Sequence, residues 1–310
     1  MIDLSIVIVS WNTRELLREC LESLYRYTSD VTFEVFVVDN ASSDGSADMV
    51  RELFPQVNLI RNEQNLGFSK ANNQAIKVSK GKYIALLNPD TLLIEDVFSP
   101  LIKYADQHEK IGAIGPKILN RDGKTIQYVC ARRLPNLYLE FFELSGLTRK
   151  FPKNRIFGSE YMTYWDHDSS RYVEGLSGAC MVVNKKAIDD VGMMDENQFM
   201  YGDEIDWCKR ILDAGWKIYY YSGISIIHYG EESSKQIKHD LINIAKNSRW
   251  YYYKKHYGKI YAFTYCVLIS LFSMSKYLWS FLFRKKDNAV KEMMEIYKSN
   301  LKWSIQKSIK

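Results

Sequence analysis

Polar side chains that could bind a nucleotide follow four successive apolar runs in the first 90 residues. The runs are residues 4–9, 34–38, 57–60 and 83–87. The polar groups after them are Ser10 and Asn12, then Asp39 and Asn40, then Asn65 and Gly67, and finally Asn88 and Asp90. Carboxylates can accept hydrogen bonds from a ribose or base, glycine admits a pyrophosphate, and an acid can hold a divalent cation. Each loop alone would be ordinary turn chemistry, but four together predict a nucleotide pocket.

The apolar runs alternate with segments of helical spacing, which predicts an α/β protein. Residues 46–54 and 69–79 are expected helices, and Asn12 with Glu15 resembles a capping box that opens the first helix. This alternation predicts a parallel sheet with right-handed crossovers. Ligands of such sheets bind beyond the carboxyl ends of the strands, where the polar groups lie.

Two common nucleotide-binding motifs do not occur in the sequence. It contains no GxGxxG after a strand and no GxxxxGK[ST]. The sequence therefore disfavours a dehydrogenase and a P-loop enzyme.

Composition and charge limit the class of protein and the cellular compartment that fit this sequence. The 310 residues can form one large core or two modest domains, and the five Cys have no metal or redox spacing, which favours a reducing cytosol. The start MIDLSIVIVS has no basic region or cleavage site, so we expect a strand rather than a signal peptide. Residues 284–310 carry eight basic and three acidic residues, the whole net surplus of +5. We therefore expect no nucleic-acid binding by the main domain and an anionic lipid partner for the tail.

The second half carries acids at a predicted helix start and a histidine at a strand end. Residues 203–214 are predicted as a helix, 216–229 as one or two strands that contain His228, and 235–257 as another helix. Acids at a helix start are also favoured by the helix dipole, by about 0.3–1 kcal/mol each. The stretch 131–172 carries Pro, Gly and polar residues and is expected to be a long excursion.

The motifs VIVSWN, VVDNASSDGS, NEQNLGF, ANN and YIALLNPDT resemble glycosyltransferase family 2, of the GT-A fold. The resemblance covers about residues 3–258 and is greatest to the rhamnosyltransferase-like branch of bacterial surface-polysaccharide enzymes. It implies a Rossmann-like, mostly parallel sheet with helices on both faces. It also implies inverting, divalent-metal-dependent transfer of a sugar from a dTDP- or UDP-sugar to a hydroxyl of a glycan acceptor.

The resemblance also assigns roles in the donor half. Asp39 would contact the nucleoside, and Asp90 with His228 would hold Mg²⁺ or Mn²⁺. Asn88 stands where the wider family has an acid, so its part in metal binding is open. The other residues expected to line the donor pocket are Ser10, Asn12, Asn40, Asn65, Gly67, Asn72 and Asn88.

The resemblance places the base in Asp203-Glu204-Ile205-Asp206, where the family usually has Glu-Asp-x-Asp. Glu204 is the expected base, with Asp203 as the alternative, and Asp206 is expected to pair with Arg210 four residues on. Inverting transfer needs one base and a cation for the leaving diphosphate. Tyr201 and Trp207 are expected either to stack on the acceptor sugar or to pack.

The C-terminal segment is expected to attach the enzyme to the inner face of the plasma membrane. Residues 260–283 carry one charge, Lys276, and are long enough to span, at roughly 30 Å for 20 residues. A polar stripe of Ser270, Ser273, Lys276 and Ser280 favours lying in the interface over crossing it. Packing on the catalytic domain, or on a partner subunit in a homodimer, is the alternative.

The predicted organisation is a GT-A domain over 1–258 and an amphipathic helical, membrane-associating tail over 259–310. The first domain divides into a nucleotide-sugar half, 1–116, and an acceptor and catalytic half, 117–258. The predicted location is cytoplasmic, peripheral to the membrane, with a lipid-linked glycan as a fitting acceptor. Residues 246–250 (KNSRW) lack the Gln of the Gln-x-x-Arg-Trp motif of processive synthases, which favours addition of one sugar.

Two other functions fit the same residues. A non-catalytic scaffold would bind a nucleotide sugar without turnover. A nucleotidyltransferase on a similar sheet would release pyrophosphate, whereas a glycosyltransferase releases a nucleoside diphosphate.

Overall fold

The computed structural model describes residues 2–198, 200–230, 238–283 and 288–308. The chain forms two compact units. Unit 1 comprises Met1–Leu134 and Trp165–Ser248, and unit 2 comprises Pro135–Tyr164 and Arg249–Lys310. This grouping differs from the sequence-based one, because 135–164 joins the tail and the boundary falls at Ser248 rather than at 258. Parts of the expected helix 235–257 and of the basic tail lie outside the described residues.

The strands of the described residues all belong to unit 1. They are β1 (Leu4–Ser10), β2 (Phe33–Asp39), β3 (Asn58–Arg61), β4 (Tyr83–Leu87), β5 (Thr91–Leu93), β6 (Ile111–Leu119), β7 (Ala131–Arg132), β8 (Arg171–Val173), β9 (Gly175–Leu176), β10 (Cys180–Asn184) and β11 (Lys217–His228).

The helices of the described residues are divided between the two units. They are α1 (Arg14–Tyr27), α2 (Ser46–Leu53), α3 (Phe68–Val78), α4 (Phe98–Gln107), α5 (Leu137–Ser145), α6 (Leu147–Lys150), α7 (Lys185–Val191), α8 (Asp203–Asp213), α9 (Lys238–Tyr257), α10 (Lys259–Phe283) and α11 (Asn288–Ser308).

Within the described residues, one sheet of nine strands has the order β3-β2-β1-β4-β10-β6-β11-β5, with β8 paired to β11. Strands β3, β2, β1, β4, β6 and β11 run in one direction, while β10, β5 and β8 run against them. All five residues of β4 are buried, as its continuous apolar run predicts for a strand covered on both faces. The predicted α/β class and the four N-terminal strands are confirmed.

The predicted capping box at Asn12 is wrong. Helix α1 begins at Arg14, and its N-cap Thr13 makes no side-chain cap bond. Asn12 has a φ of 51°, and its Oδ1 accepts a bond of 2.7 Å from Ser43 N–H. The side chain therefore joins two loops instead of capping a helix.

Strand β5 is short, yet it fixes the end of β11. It pairs antiparallel with that end, so that His228 lies opposite Thr91. Tyr229 N–H donates to the Asp90 carbonyl at 2.9 Å, which extends the pairing by one more bond. The residues that precede β5 and those that end β11 are therefore neighbours, although 138 positions separate Asp90 from His228.

Asn73 on α3 holds the loop that leads to α8. Its Nδ2 donates to the Met194 carbonyl at 2.9 Å and to Glu196 Oε1 at 3.0 Å, and its Oδ1 accepts from Met194 N–H at 3.1 Å. Asn73 is 1% exposed, so these bonds satisfy a buried amide. The loop before the acidic helix is thereby fixed to the nucleotide half.

Unit 2 is helical in its described residues. The stretch 131–172, expected to be a long excursion, contains α5 and α6, and apolar and aromatic residues give α5 a buried side. Arg249 lies 3.0 Å from Glu140 Oε1 and 2.9 Å from Glu160 Oε1. Burial raises the pKa of Glu140, against the lowering effect of the Arg249 charge.

Helix α10 places its buried serines and its exposed apolar residues on different sides, while Lys276 of the predicted polar stripe is exposed. Ser273 and Ser280 are buried, and Ser270 Oγ lies 2.7 Å from Ser304 Oγ on α11, so these serines face inwards. The apolar face is exposed along the helix: Ile260, Phe263, Leu271, Met274, Leu278 and Leu282 are each at least 47% exposed. Among the described residues α10 alone, over Lys259–Leu282, is long and apolar enough to cross a membrane.

We expect Asn73→Ala to lower the free energy of unfolding by about 2–4 kcal/mol, because three hydrogen bonds are lost and buried partners are left without them. Chemical denaturation measures the change. Asn197→Ala removes an exposed amide bonded only locally, to Asp195, and should change stability by no more than about 0.5 kcal/mol. Equal stability of the two variants would contradict the role of Asn73.

Candidate active site

A carboxylate and an imidazole meet beyond the carboxyl end of β4. Asp90 Oδ1 lies 3.2 Å from His228 Nε2, and the two side chains are only 8% and 12% exposed. Asn88 Nδ2 lies 3.3 Å from the same ring nitrogen. The structure therefore brings together Asp90 and His228, the two residues expected to hold a cation. It also places beside them the amide of Asn88, whose part in metal binding the sequence left open.

Gln127 holds the other side of the His228 ring. Its Nε2 donates to the His228 carbonyl at 2.6 Å, and its Oε1 lies 2.9 Å from His228 Nδ1. Sequence reasoning missed Gln127, because it lies 101 positions from the histidine in no recognisable motif.

The donor set at Asp90 and His228 fits a divalent cation. A carboxylate oxygen and a ring nitrogen in one partly buried place are ligand types that such ions accept. No group of three or more His, Cys, Asp or Glu side chains that could hold a metal occurs in the described residues. Two protein ligands match a cation that takes its other ligands from a diphosphate and water.

Asp39, at the end of β2, keeps one carboxylate oxygen without a partner. It is 2% exposed; its Oδ2 accepts from Ser42 N–H at 3.2 Å, and its Oδ1 is buried with no hydrogen bond. A buried acceptor without a donor is costly, by about 1–3 kcal/mol, and a ligand N–H or O–H would relieve that cost.

The other polar groups expected to line the donor pocket largely bind one another. Asn40 Nδ2 donates to Asn65 Oδ1 at 2.9 Å and to the Gly67 carbonyl at 3.3 Å, while Asn40 Oδ1 accepts from Leu66 N–H at 3.0 Å. Asn65 Oδ1 also accepts from Gly67 N–H at 2.9 Å. These bonds fix the loop before α3 to the end of β2.

Two more of the predicted donor residues have local partners. Ser10 Oγ lies 3.0 Å from Thr13 Oγ1, and both residues are buried. Asn72 Nδ2 donates to the Phe68 carbonyl at 2.9 Å within α3. Their contact with a donor stays a prediction.

The acids at the start of α8 occupy different environments. Asp203 is 1% exposed, and its Oδ2 accepts from Ser69 Oγ at 3.0 Å. Burial, followed by the charge and hydrogen bond of Glu204, raises the pKa of Asp203 well above its ordinary value, whereas the Ser69 bond lowers it. Glu204 is partly exposed, and its Oε2 accepts from Gly202 N–H at 3.3 Å.

One short loop, which contains Gly178 and Ala179, contacts residues on two sides of the candidate site. A Cβ added to Gly178 would lie 3.8 Å from Glu204 Cβ, and the next residue, Ala179, accepts a 3.0 Å bond from Asn88 N–H through its carbonyl. Adjacent residues of this loop therefore approach Glu204 on α8 and bond to Asn88, two residues before Asp90.

Trp207 packs and does not present a ring face to a sugar. It is 0% exposed, and its indole N–H donates to the Gly192 carbonyl at 2.9 Å. The acceptor-stacking alternative for this residue is therefore corrected to packing. Asp206 forms the expected pair with Arg210, at 2.9 Å. Tyr201 is partly exposed and has a φ of 66°, and its acceptor role stays a prediction.

Comparison with known proteins identifies relatives of this chain. The chain is 27% identical to an N-acetylglucosaminyl-diphospho-decaprenol L-rhamnosyltransferase of Mycobacterium tuberculosis over 250 residues, 74% of this chain and 77% of the relative. It is 27% identical to a rhamnosyltransferase of Escherichia coli K12 over 256 residues, 79% of this chain and 88% of the relative.

A solved mannosyltransferase of Pyrobaculum calidifontis, in complex with GDP-Man and Mn²⁺, has the same fold. The two structures align over 100% of this chain and 89% of the other with a TM-score of 0.52, at 13% sequence identity. The predicted GT-A fold is thereby confirmed. Residues 5–168 match the family model for Glycosyl transferase family 2, and the chain belongs to that family.

Proposed function

We propose that this glycosyltransferase is inverting and metal-dependent, and that it transfers one sugar from a dTDP- or UDP-sugar to a hydroxyl of a glycan acceptor in surface-polysaccharide synthesis. The observation that carries the proposal is the 3.2 Å contact between Asp90 and His228, with Glu204 next to the loop that bonds to Asn88. Rhamnose is the first donor sugar to test, because the two relatives described above are rhamnosyltransferases.

Donor binding begins at Asp39. Its unpartnered Oδ1 can accept a hydrogen bond from the nucleoside, and the bonded network of Asn40 and Asn65 holds the surrounding loops in place beforehand. Loops fixed before binding lose little conformational entropy when the ligand arrives.

Glu204 is the proposed base. It takes the proton of the acceptor hydroxyl while the hydroxyl oxygen forms a bond to the anomeric carbon. The bond from that carbon to the diphosphate oxygen breaks, and its electron pair leaves with the nucleoside diphosphate. Attack opposite the leaving group inverts the anomeric centre.

Asp203 supports the neighbouring Glu204 in its role as the base. Its raised pKa favours the protonated form, which can donate a hydrogen bond to Glu204. Asp203 therefore acts through Glu204 rather than on the acceptor.

Asp90 and His228 would hold Mg²⁺ or Mn²⁺. When bound, the cation supplies positive charge that stabilises the leaving diphosphate. The solved mannosyltransferase of the same fold contains Mn²⁺, which supports this expectation.

We also propose peripheral attachment to an anionic membrane surface through unit 2. The exposed apolar face of α10 recurs at helical spacing from Ile260 to Leu282. The partner helix α11 exposes Lys291, Glu295, Lys298 and Lys302, which would be costly inside a bilayer. Lying in the interface avoids that cost and still buries the apolar face.

Basic groups near the start of α10 suit the lipid head groups. Lys254 Nζ and Lys307 Nζ each lie 4.6 Å from the centre of the Trp250 ring, and Lys259 lines the same cleft. Each ammonium group near an anionic surface contributes about 1 kcal/mol of binding. Attachment there would bring the enzyme to a lipid-linked acceptor.

The activity is tested by transfer assays with nucleotide sugars and Mn²⁺ or Mg²⁺. We expect a chelator to abolish transfer, Glu204→Gln to lower kcat by about 10²–10⁴-fold, and Asp203→Asn to retain most activity, because the amide preserves the bonds to Ser69 and Glu204. Product analysis should find a nucleoside diphosphate. Release of pyrophosphate, or donor binding without turnover, would contradict the proposal.

The raised pKa of the buried Asp203 carboxyl implies that the stability of the folded protein depends on pH. Its folded pKa lies above the ordinary 3.8, so the folded protein holds the proton more tightly, and wild type loses this stabilisation as the pH rises from 3.8 through the folded pKa. Asparagine cannot lose a proton. The melting temperature of Asp203→Asn minus that of wild type should therefore increase with pH over this window. Asp213→Asn, an exposed acid on α8, is the control, and an equal trend in both would refute the assignment.

Membrane attachment is tested by sedimentation with vesicles of phosphatidylglycerol and phosphatidylethanolamine. We expect wild type to sediment with them and Leu271→Ser/Leu278→Ser to remain in solution, because the substitutions remove apolar area that enters the interface. Leu53→Ser, at an equally exposed position on α2, should behave as wild type. A wild-type dimer that the double variant converts to monomers, without vesicle binding, would assign the face to a subunit interface instead.

A further inference from the structure

We propose that Gln127 is a positioning residue that sets the tautomer and orientation of His228, so that Nε2 is the nitrogen presented beside Asp90. The proposal rests on the metal-dependent function proposed above. It concerns a residue outside every motif that identifies the family. The structural basis is the pair of bonds that the Gln127 amide makes to one histidine.

The two bonds determine which end of the amide faces which atom. The His228 carbonyl can only accept, so the group 2.6 Å from it must be the Gln127 NH₂. The Gln127 oxygen then faces His228 Nδ1 at 2.9 Å, and an oxygen without hydrogen requires a donor there. The ring proton of neutral His228 is therefore on Nδ1.

A proton on Nδ1 leaves a lone pair on Nε2. Asn88 Nδ2, which is a donor, lies 3.3 Å from Nε2 and agrees with this assignment. Asp90 Oδ1 is an acceptor 3.2 Å from the same nitrogen. In the neutral ring, the Nε2 lone pair is therefore presented beside Asp90 Oδ1, and these two atoms can ligate one divalent cation.

Gln127 itself is fixed by its backbone. Its N–H donates to the Ile118 carbonyl on β6 at 2.9 Å, and its carbonyl accepts from Cys130 N–H at 3.1 Å. Leu119 and Ile126 form a β-bridge just before it. Strand β6 pairs with β11, which ends at His228, so the loop residue bonded to β6 and the ring at the end of β11 are held next to each other.

The alternative is that Gln127 only ties down the end of β11. The two roles predict different results, because a tie affects stability alone, whereas tautomer control affects metal affinity through His228. Loss of the hydrogen-bond partner of a metal-bound histidine typically lowers metal affinity by about 10–100-fold.

The test is the affinity for Mn²⁺ alone, measured by electron paramagnetic resonance of the free ion, with the full chain. We expect Gln127→Ala to weaken binding by about 10–100-fold. Gln127→Glu keeps an acceptor for Nδ1–H but loses the donor to the His228 carbonyl, so binding should stay near wild type. Gln107→Ala, at the exposed end of α4, is the matched control and should change nothing.

A double-substitution cycle separates positioning from support of the fold. In a His228→Ala background, Gln127→Ala should weaken Mn²⁺ binding no further, since the residue it acts through is gone. Nitrogen-15 spectra of labelled histidine should show the Nδ1–H form for His228 in wild type and a mixture in Gln127→Ala. Melting temperatures of all variants identify loss of folding.

These measurements either support or overturn the positioning role of Gln127. Unchanged Mn²⁺ affinity in Gln127→Ala, an equal loss in Gln127→Glu, or an additive loss in the double variant would overturn the positioning role while leaving the proposed function standing. Wild-type Mn²⁺ binding that ignores both Asp90→Ala and His228→Ala would overturn the metal site, and the positioning role with it.

Discussion

The antiparallel pairing of β5 with the end of β11 is the constraint on which the candidate site depends. It involves only three residue pairs, yet it places His228 opposite Thr91 and therefore beside Asp90. Asp90 and His228 are 138 positions apart in the sequence, so their side chains meet only through this strand pairing. The parallel strands place polar groups at the same edge of the sheet. At this edge the short strand β5 adds His228, from the end of β11, to the residues that follow β4.

The polar loops at the sheet edge are held mainly by their own side chains. Asn40, Asn65 and Asn12 are each bonded to a neighbouring loop, so residues that family resemblance assigns to the donor also build the surface around it. Such a network holds its geometry before a ligand arrives, because breaking one bond leaves a buried partner unsatisfied. Asp39 Oδ1 differs from them in having no partner, which makes it the group best suited to accept a bond from outside.

The two adjacent acids of α8 show how burial separates chemically similar groups. The carboxyl of Asp203 is buried against Ser69, which bonds to it, and burial raises its pKa, while the carboxyl of Glu204 faces partly outwards. Two neighbouring carboxylates do not ionise equally in such a place, since each charge disfavours the other. The more exposed one is therefore left to act as the base in the proposed reaction.

Local patterns determined much of the fold and the identities of the candidate residues. Continuous apolar runs predicted β1 to β4, and helical spacing predicted α2, α3 and α8, because strand and helix periods are properties of neighbouring residues. Resemblance to family motifs singled out Asp90, Glu204 and His228 for the same reason, since each lies in a short recognisable stretch.

Tertiary structure alone decided which distant groups meet and which faces are covered. Gln127 pairs with His228 across 101 positions, Trp207 is buried, and Ser270 of α10 contacts Ser304 of α11 while Leu271, Leu278 and Leu282 are exposed. A helical stripe shows that two faces differ but not which one is covered. Contact across the sheet depends on strand order and register, which arise from packing of the whole chain and leave no trace in a local stretch of sequence.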